Sequence, residues 1–542
     1  MLLVFALPVA ARSEERKIVT ARRWSRVLIA FALACVSGWS LAIPAVVRPF
    51  ETETWATPEN AVDKSVVATL RQHGAQLRNP CSDETFIRRI YLDMIGTLPE
   101  PGEVEAFLAD PRPDKRAALI ETLFTRDEFA DYWSMKWCDV LRVKSEFPIN
   151  LWPNATQAYQ HWIHQALHDN LPYDQFARAL LTSSGSNVRD PQVNFYRALP
   201  ARDPTTIARG VALTFMGTRL DTWPSARATD MATFFSRVAY KKTGEWKEEI
   251  VLLNPELAGP LKAVLPDGVP VTIPEESDPR QTFADWLLTP NNVWFSRAIV
   301  NRLWCWTMGR GIINEADDIR PDNPPASPDT LACLGDALVK SHYDLRSVYR
   351  LIFNSRTYQQ SSIPANDIAD PSIQFAHYTI RRLDAEVLSD ALCWIGGNGV
   401  GYVSATPEPY TFIPKANRTI TLADGSITSA FLATFGRPAR DTGLESERDN
   451  RPTDTQRLYL LNSSDIQQKI SRSPRLREII TNNKKRDMLV RNLYITILSR
   501  PPTPEETAVA LAYFTKSNLG TGPSANDLAW TLINSKEFLY RH

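Results

Sequence analysis

Asp317, Asp318, Asp322 and Asn323 crowd into one short, Pro-rich stretch. Hard oxygen ligands in a loop suit calcium or magnesium. The same residue types suit helix caps and Asx-turns. The spacing is not that of an EF-hand loop, because the required Gly and closing Glu are missing, and no metal is assigned. Arg382, Glu386 and Asp390 fall at i, i+4 and i+8. On a helix they can form a structural ion-pair ladder, and the sharper alternative is a paired-carboxylate acid–base site. Arg437, Arg440 and Arg448 can hold an anion, or else form an internal salt-bridge network with Glu445 and Glu447. His161, His164 and His168, at i, i+3 and i+7, have metal-ligand spacing in principle. With no acidic or Cys partner fixed nearby, they read as a solvated or partly packed face. The candidate catalytic residues are therefore Asp317, Asp318, Glu386 and Asp390. Asn323, Arg382, Arg437, Arg440 and Arg448 are candidate binding residues.

Other chemistries are disfavoured. There is no G-x-G-x-x-G, Walker A, G-x-S-x-G or H-E-x-x-H segment. Gly396-Gly397-Asn398-Gly399 follows a helical pattern with no preceding strand, which is a weak phosphate signal. The chain has 61 Lys+Arg and 61 Asp+Glu, so its charge gives no drive toward nucleic acid or an anionic membrane. Six Cys in 542 residues cannot make a disulfide scaffold. Cys81, Cys138, Cys305, Cys333 and Cys393 are scattered without C-x-x-C and read as small buried hydrophobes.

The elements that must position these residues are mostly helices. Phe129, Trp133, Trp137 and Leu141 recur at i, i+4, i+8 and i+12, an amphipathic helix with an aromatic stripe facing a core. Asp83, Asp114 and Asp344 stand where helix caps belong. Ile250–Leu253 and Val269–Ile273 read as short strands around the turn Pro266-Asp267-Gly268. The expected fold is mainly α: two helical domains, 60–240 and 278–542, joined by a small β-containing linker, 241–277. Residues 1–48 read as a signal peptide or membrane anchor. Arg22, Arg23 and Arg26 precede an uncharged apolar run, Val27 to Val47, with small residues Ser40 and Ala42 at its exit. Export to the periplasm, cell surface or extracellular space is expected, with the membrane touched only through such an anchor.

An internal repeat accounts for much of the proline excess. Arg88-Arg89-Ile90-Tyr91-Leu92 through Pro99, Pro101 and Glu103 matches Arg491-Asn492-Leu493-Tyr494-Ile495 through Pro502, Pro504 and Glu506 at one offset. Each unit reads as helix, Pro-rich turn, helix, with Glu favoured at the second helix's N-terminus.

The segments FIRRIYLDMIGTLPEPGEVEAFL (Phe86–Leu108), NRLWCWTMGRGIINEADDIRPDNPP (Asn301–Pro325), RRLDAEVLSDAL (Arg381–Leu392) and FGRPAR (Phe435–Arg440) carry a resemblance. Together they resemble a bacterial family typical of planctomycetes that pairs domains of unknown function 1549 and 1553, often with a cytochrome c module. The resemblance adds Asn301 and Arg302, which open its best-kept motif, to the candidate binding residues. It also implies a C-x-x-C-H element and a C-x-C-E-R element. Here the first is replaced by DTWPSARATDMAT and the second by Leu444-Glu445-Ser446-Glu447-Arg448. A c-type haem needs two thiols and a His, so no covalent haem or other cofactor is expected. The resulting expectation is an exported, haem-less structural or interaction protein, binding other exported proteins or cell-surface material. The alternative is an extracytoplasmic enzyme, a hydrolase or a component of a redox system, with a carboxylate/Arg site in the C-terminal domain.

Overall fold

In the computed structural model, described for residues 46–257, 259–364, 375–406, 411–414 and 416–542, local signals set most helix ends. The expected signal or anchor lies outside the described residues except for its last three. Helix α1 (Ala61–Gln72) starts on a capping box: Asn60 accepts from the Val62 and Asp63 amides, and the Asp63 carboxylate accepts from the Asn60 amide. Helix α2 (Asp83–Met94) is capped by Ser82, which accepts from the Thr85 amide. Asp83, expected as the cap, instead pairs with Lys115 and Arg116 at 2.6 and 2.8 Å. The chain then turns through Gly96, at φ 59, into α3 (Pro101–Ala109). Proline at the first helical position costs no hydrogen bond and fixes φ for the helix.

Helix α4 (Asp127–Val140) buries the aromatic stripe. Burial of each large ring contributes about 1.5–3 kcal/mol. Trp133 and Trp137 meet Trp306 with ring centroids 5.8 and 5.9 Å apart. Helices α5 (Pro153–His168), α6 (Tyr173–Thr182) and α7 (Pro204–Met216) follow, the last ending on Gly217 in the left-handed conformation. Trp306 belongs to α8 (Val293–Met308), so residues of the first and second expected helical segments share one core.

Sheets are small. β1 (Gly185–Ser186), β2 (Val238–Lys242) and β3 (Glu249–Leu253) form an antiparallel sheet in the order β1-β3-β2. β4 (Leu261–Val264) and β5 (Pro270–Ile273) form a hairpin around Pro266–Gly268, with Leu261–Val264 in the place expected of Ile250–Leu253. The strand at Ile250–Leu253 thus pairs upstream, not with the hairpin. Beyond α8 come α9 (Pro328–Lys340), α10 (Ala385–Gly396), α11 (Arg486–Leu498), α12 (Pro504–Lys516) and α13 (Thr521–Ile533). Two short strands, β6 (Arg381–Arg382) and β7 (Tyr540–Arg541), pair antiparallel and bring Arg541 beneath α10. The fold is mainly α.

Candidate functional site

Helix periodicity places Tyr132, Lys136 and Asp139 on one flank of α4, beside the stripe. That flank faces the start of α10. The Lys136 ammonium pairs with Asp384 Oδ1 at 3.0 Å. Asp384 Oδ2 accepts from the Tyr132 hydroxyl at 3.1 Å and from Arg541 Nη2 at 3.0 Å, and Asn450 donates to Oδ1 at 2.7 Å. Two residues on, Glu386 accepts from Arg448 at 2.7 and 3.0 Å and from Arg437 Nε at 3.2 Å. Arg448 also reaches Asp139 at 2.6 Å, and Asp139 takes Arg440 Nε at 2.9 Å. Arg541 carries the network to Asp93 of α2 at 3.0 Å. Asp93 further binds Arg381 and the hydroxyls of Tyr358 and Tyr378, each at 2.8 Å. All of these acids and bases except Arg381, Asp139, Arg448 and Asn450 are buried residues.

Burying so many charges is costly unless each is paired, and the titration behaviour follows the pairing. Burial acts to raise the pKa of Asp384, but the charges of Lys136, Arg541 and Arg448 prevail and hold its carboxyl well below the usual range. Glu386 is likewise held down against burial by Arg448 and Arg437. Burial pushes Lys136 down and the Cys138 thiol up to about 12. Glu445 is the exception. Burial and the Asp317 charge raise it to about 7, although Lys136, Arg302 and the Trp306 hydrogen bond pull the other way.

Glu445 joins the network to the acidic loop. Its Oε2 accepts from Trp306 Nε1, and its backbone amide donates to Asp317 Oδ2, both at 2.6 Å. The other Asp317 oxygen holds Arg302 of α8. Arg302 also donates to the Thr214 and Leu213 carbonyls at the end of α7, at 2.9 and 3.2 Å. Asn301 clamps the loop's entry, donating to the Ile313 carbonyl at 3.0 Å and accepting the Ile313 amide at 2.8 Å.

The remaining sequence candidates go elsewhere. Asp318 and Asp322 turn outward to Arg320, each at 3.1 Å. Asn323 donates to the Asn314 and Asp318 carbonyls at 3.0 and 2.9 Å, an Asx-type brace of the turn. The Arg382/Glu386/Asp390 ladder does not form. Arg382 lies in β6, ahead of the helix, and donates to the Phe435 carbonyl at 2.5 Å. Asp390 accepts the Thr419 and Ile420 amides at 2.6 and 3.1 Å, and burial raises its pKa. The physical reason is the α10 start: Asp384 is its N-cap residue, so the helical spacing cannot reach back to Arg382.

The histidines part as well. His164 pairs with Asp131 at 3.0 Å and His168 with Asp169 at 2.9 Å. His161 lines a surface cavity of about 310 Å³ with His164. Among the described residues no three His, Cys, Asp or Glu side chains gather in a way that could hold a metal.

The structure thus brings together Arg302, Asp317, Glu386, Arg437, Arg440 and Arg448, and leaves out Asp318, Asp322 and Asn323. Sequence reasoning missed Lys136, Asp139, Asp384, Asp93 and Arg541, and it set Glu445 and Glu447 against the arginines, whereas Glu445 meets Trp306 and Asp317 and Glu447 accepts the Asp441 and Thr442 amides. One signal was present: a Lys inside a helix whose neighbours Trp133 and Trp137 point to the core must itself be half-buried and in need of a partner. In the network every carboxylate except Glu445 already has a close cation, so it can store charge and fix geometry but offers a proton at neutral pH only at Glu445.

Comparison with known proteins gives two family matches. Residues 61–243 match PSCyt2, described as a protein of unknown function (DUF1549). Residues 279–514 match PSD1, described as a protein of unknown function (DUF1553). No curated protein and no solved structure matches.

Proposed function

From the premise that this chain belongs to the family that pairs domains of unknown function 1549 and 1553, we propose that it is an exported structural or interaction protein that carries no haem. Its partners are other exported proteins or cell-surface material. The observation that carries this reading is the use of the charged candidates on each other. Glu386 pairs with Arg437 and Arg448, and Arg440 with Asp139, while Asp384 beside them takes Lys136. The larger described cavities, of about 670 and 630 Å³, are lined by other residues, among them Val509, Tyr513 and Trp530 in one and Thr57, Arg116 and Arg350 in the other. Reactive carboxylates need access to substrate, and these have none of that lining.

The absence of haem rests on the donor set. The segment 221–233 in place of C-x-x-C-H is a short turn and a helix, Ser225–Thr233, without Cys or His. Export rests on the basic-then-apolar N-terminal pattern. Purification of the full chain from its native envelope, followed by mass spectrometry, is expected to return stable protein partners, with no haem in a pyridine haemochrome assay. Covalent haem, or no partner together with a stoichiometric metal, would overturn the reading. The enzyme alternative has one observation in its favour, the near-neutral Glu445 beside Lys136 and Trp306.

A further inference from the structure

A cavity of about 670 Å³ opens between α12 and α13, in the second copy of the helix–proline turn–helix unit. Its wall holds three aromatic side chains, Tyr513 and Phe514 from α12 and Trp530 from α13. Glu505, two turns before Tyr513 on the same face of α12, lines it too, as does Asp527 of α13. Tyr513 is 41% exposed and Phe514 is buried, so the cavity runs from solvent toward the core. The Tyr513 hydroxyl donates to Asp527 at 2.6 Å, which ties the two helices and fixes that ring. The shared backbone unit does not call for this wall. By the offset that matches Pro101 to Pro504, the first copy carries Asp110 where the second has Tyr513. The segments LFTRDEF and LINSKEF align Glu121 with Trp530 and Ala118 with Asp527. The buried Phe107 of the first copy gives way to Ala510, so a ring's volume is missing where Ala510 lines the cavity.

The charges on the wall are of one sign. Glu505, Glu506 and Asp527 line the cavity, and no Lys or Arg does. Glu506 is spent on Arg500 at 2.7 Å, and Arg500 is also held by Glu537 at 2.6 Å. Among the described residues neither Glu505 nor Asp527 is in an ion pair, and Asp527 takes only the Tyr513 hydroxyl. Lys516, in the last turn of α12, stands outside the lining. Aromatic rings attract a cation through their quadrupole, and free carboxylates add to that attraction. The kind of cation follows from hydrogen bonding. A primary ammonium or a guanidinium would bring several N–H donors against ring walls that cannot accept them, at a desolvation cost. A quaternary ammonium carries charge and apolar methyl groups and has no hydrogen to satisfy.

We propose that Tyr513, Phe514 and Trp530, with Glu505 and Asp527, form a binding site for a small quaternary ammonium of choline type. Calorimetric titration of the full chain with choline tests it. Neopentyl carbinol, the uncharged isostere with carbon in place of nitrogen, is titrated alongside. Phosphatidylcholine vesicles, pelleted with the chain, separate a lipid headgroup from a free ligand, and either source supports the site. Saturable choline binding is expected, about tenfold or more tighter than binding of the isostere. Crystals grown with choline should place the trimethylammonium group between Tyr513 and Trp530. Trp530→Leu and Tyr513→Leu should each weaken choline binding about tenfold, and Tyr513→Phe, which keeps the ring, should weaken it far less. Glu505→Gln should weaken choline and leave the isostere unchanged. No saturable binding of choline or of vesicles, equal binding of the isostere, or unchanged affinity in both leucine variants would overturn the assignment. If Trp530→Leu does not fold, Tyr513→Leu, at a partly exposed position, and the isostere still decide it.

Discussion

The two copies of the helix–proline turn–helix unit share a backbone and differ in what they bury. Gly96 and Ser499 occupy the same position after the first helix and take the same left-handed φ, 59 and 61. Pro101 and Pro504 open the second helix, and Glu103 and Glu506 close equivalent capping boxes with Glu100 and Thr503. Even a side-chain clasp recurs. Arg126 pairs with Glu103 and Glu128 at 2.9 and 2.6 Å beside Tyr91. Arg500 pairs with Glu506 and Glu537 at 2.7 and 2.6 Å beside Tyr494. The arginine comes from a different place in each copy, so the two clasps share their geometry but not the arginine's position.

Burial separates the copies. Arg88, 1% exposed, crosses to the second copy and donates to the Ile497 and Phe538 carbonyls at 3.0 Å. Its counterpart Arg491 stays near the surface and pairs with Glu105 at 2.5 Å. Asp93, a node of the charge network, has Thr496 as its counterpart. The first copy therefore anchors the network and the second covers it. The lesson is that one backbone unit can serve as core or as shell, depending on a few charged positions along a single helix.

Asp93→Asn should break the contrast most strongly. It leaves Arg381 without its carboxylate and Arg541 with Asp384 alone, and is expected to cost about 3–5 kcal/mol in urea unfolding. Next, Arg88→Met should cost about 2–4 kcal/mol because two buried carbonyls lose their donor. Arg491→Met should cost about 1 kcal/mol or less, as exposed pairs do. Equal losses for the two arginines would erase the core–shell distinction. A further effect, confined to one pH window, sharpens it. Glu445 is raised to about 7 in the folded chain, against about 4.3 when unfolded. The folded state therefore binds the extra proton between those values, and this group's contribution to stability falls as pH rises through that window. Glu445→Gln, which retains an acceptor for Trp306, should be more stable than the parent by about 1–3 kcal/mol above pH 7 and equal to it below pH 4. Thermal melts across that range measure the difference.

Much of this architecture was legible in the sequence because its causes are local. The aromatic stripe of α4, the Asp344 cap and the hairpin at Pro266–Gly268 follow from periodicity and turn chemistry. The repeat was legible because its prolines and glutamates act within a few residues. The site was legible only in its membership. Arg437, Arg440 and Arg448 stood out as a cluster, but their partners Asp139 and Glu386 lie far away in the chain, and a single sequence carries no record of such pairs. The ladder expected on α10 failed for a local reason: Asp384 ends the helix before Arg382. Glu445 reads from the sequence only as a partner for the arginines, because its raised pKa depends on burial and on the Asp317 charge, which no spacing rule reveals.

The central claim is that the buried carboxylate–arginine network holds the fold and is not a poised reactive site. Reactive carboxylates are commonly held at a cost to stability, and their neutralisation leaves stability unchanged or raises it. The most direct test is the urea unfolding free energy of Glu386→Gln at neutral pH. Loss of Arg437 and Arg448 pairing should lower it by about 3–5 kcal/mol. An unchanged or increased unfolding free energy would contradict the claim and point back to a catalytic role for Glu386.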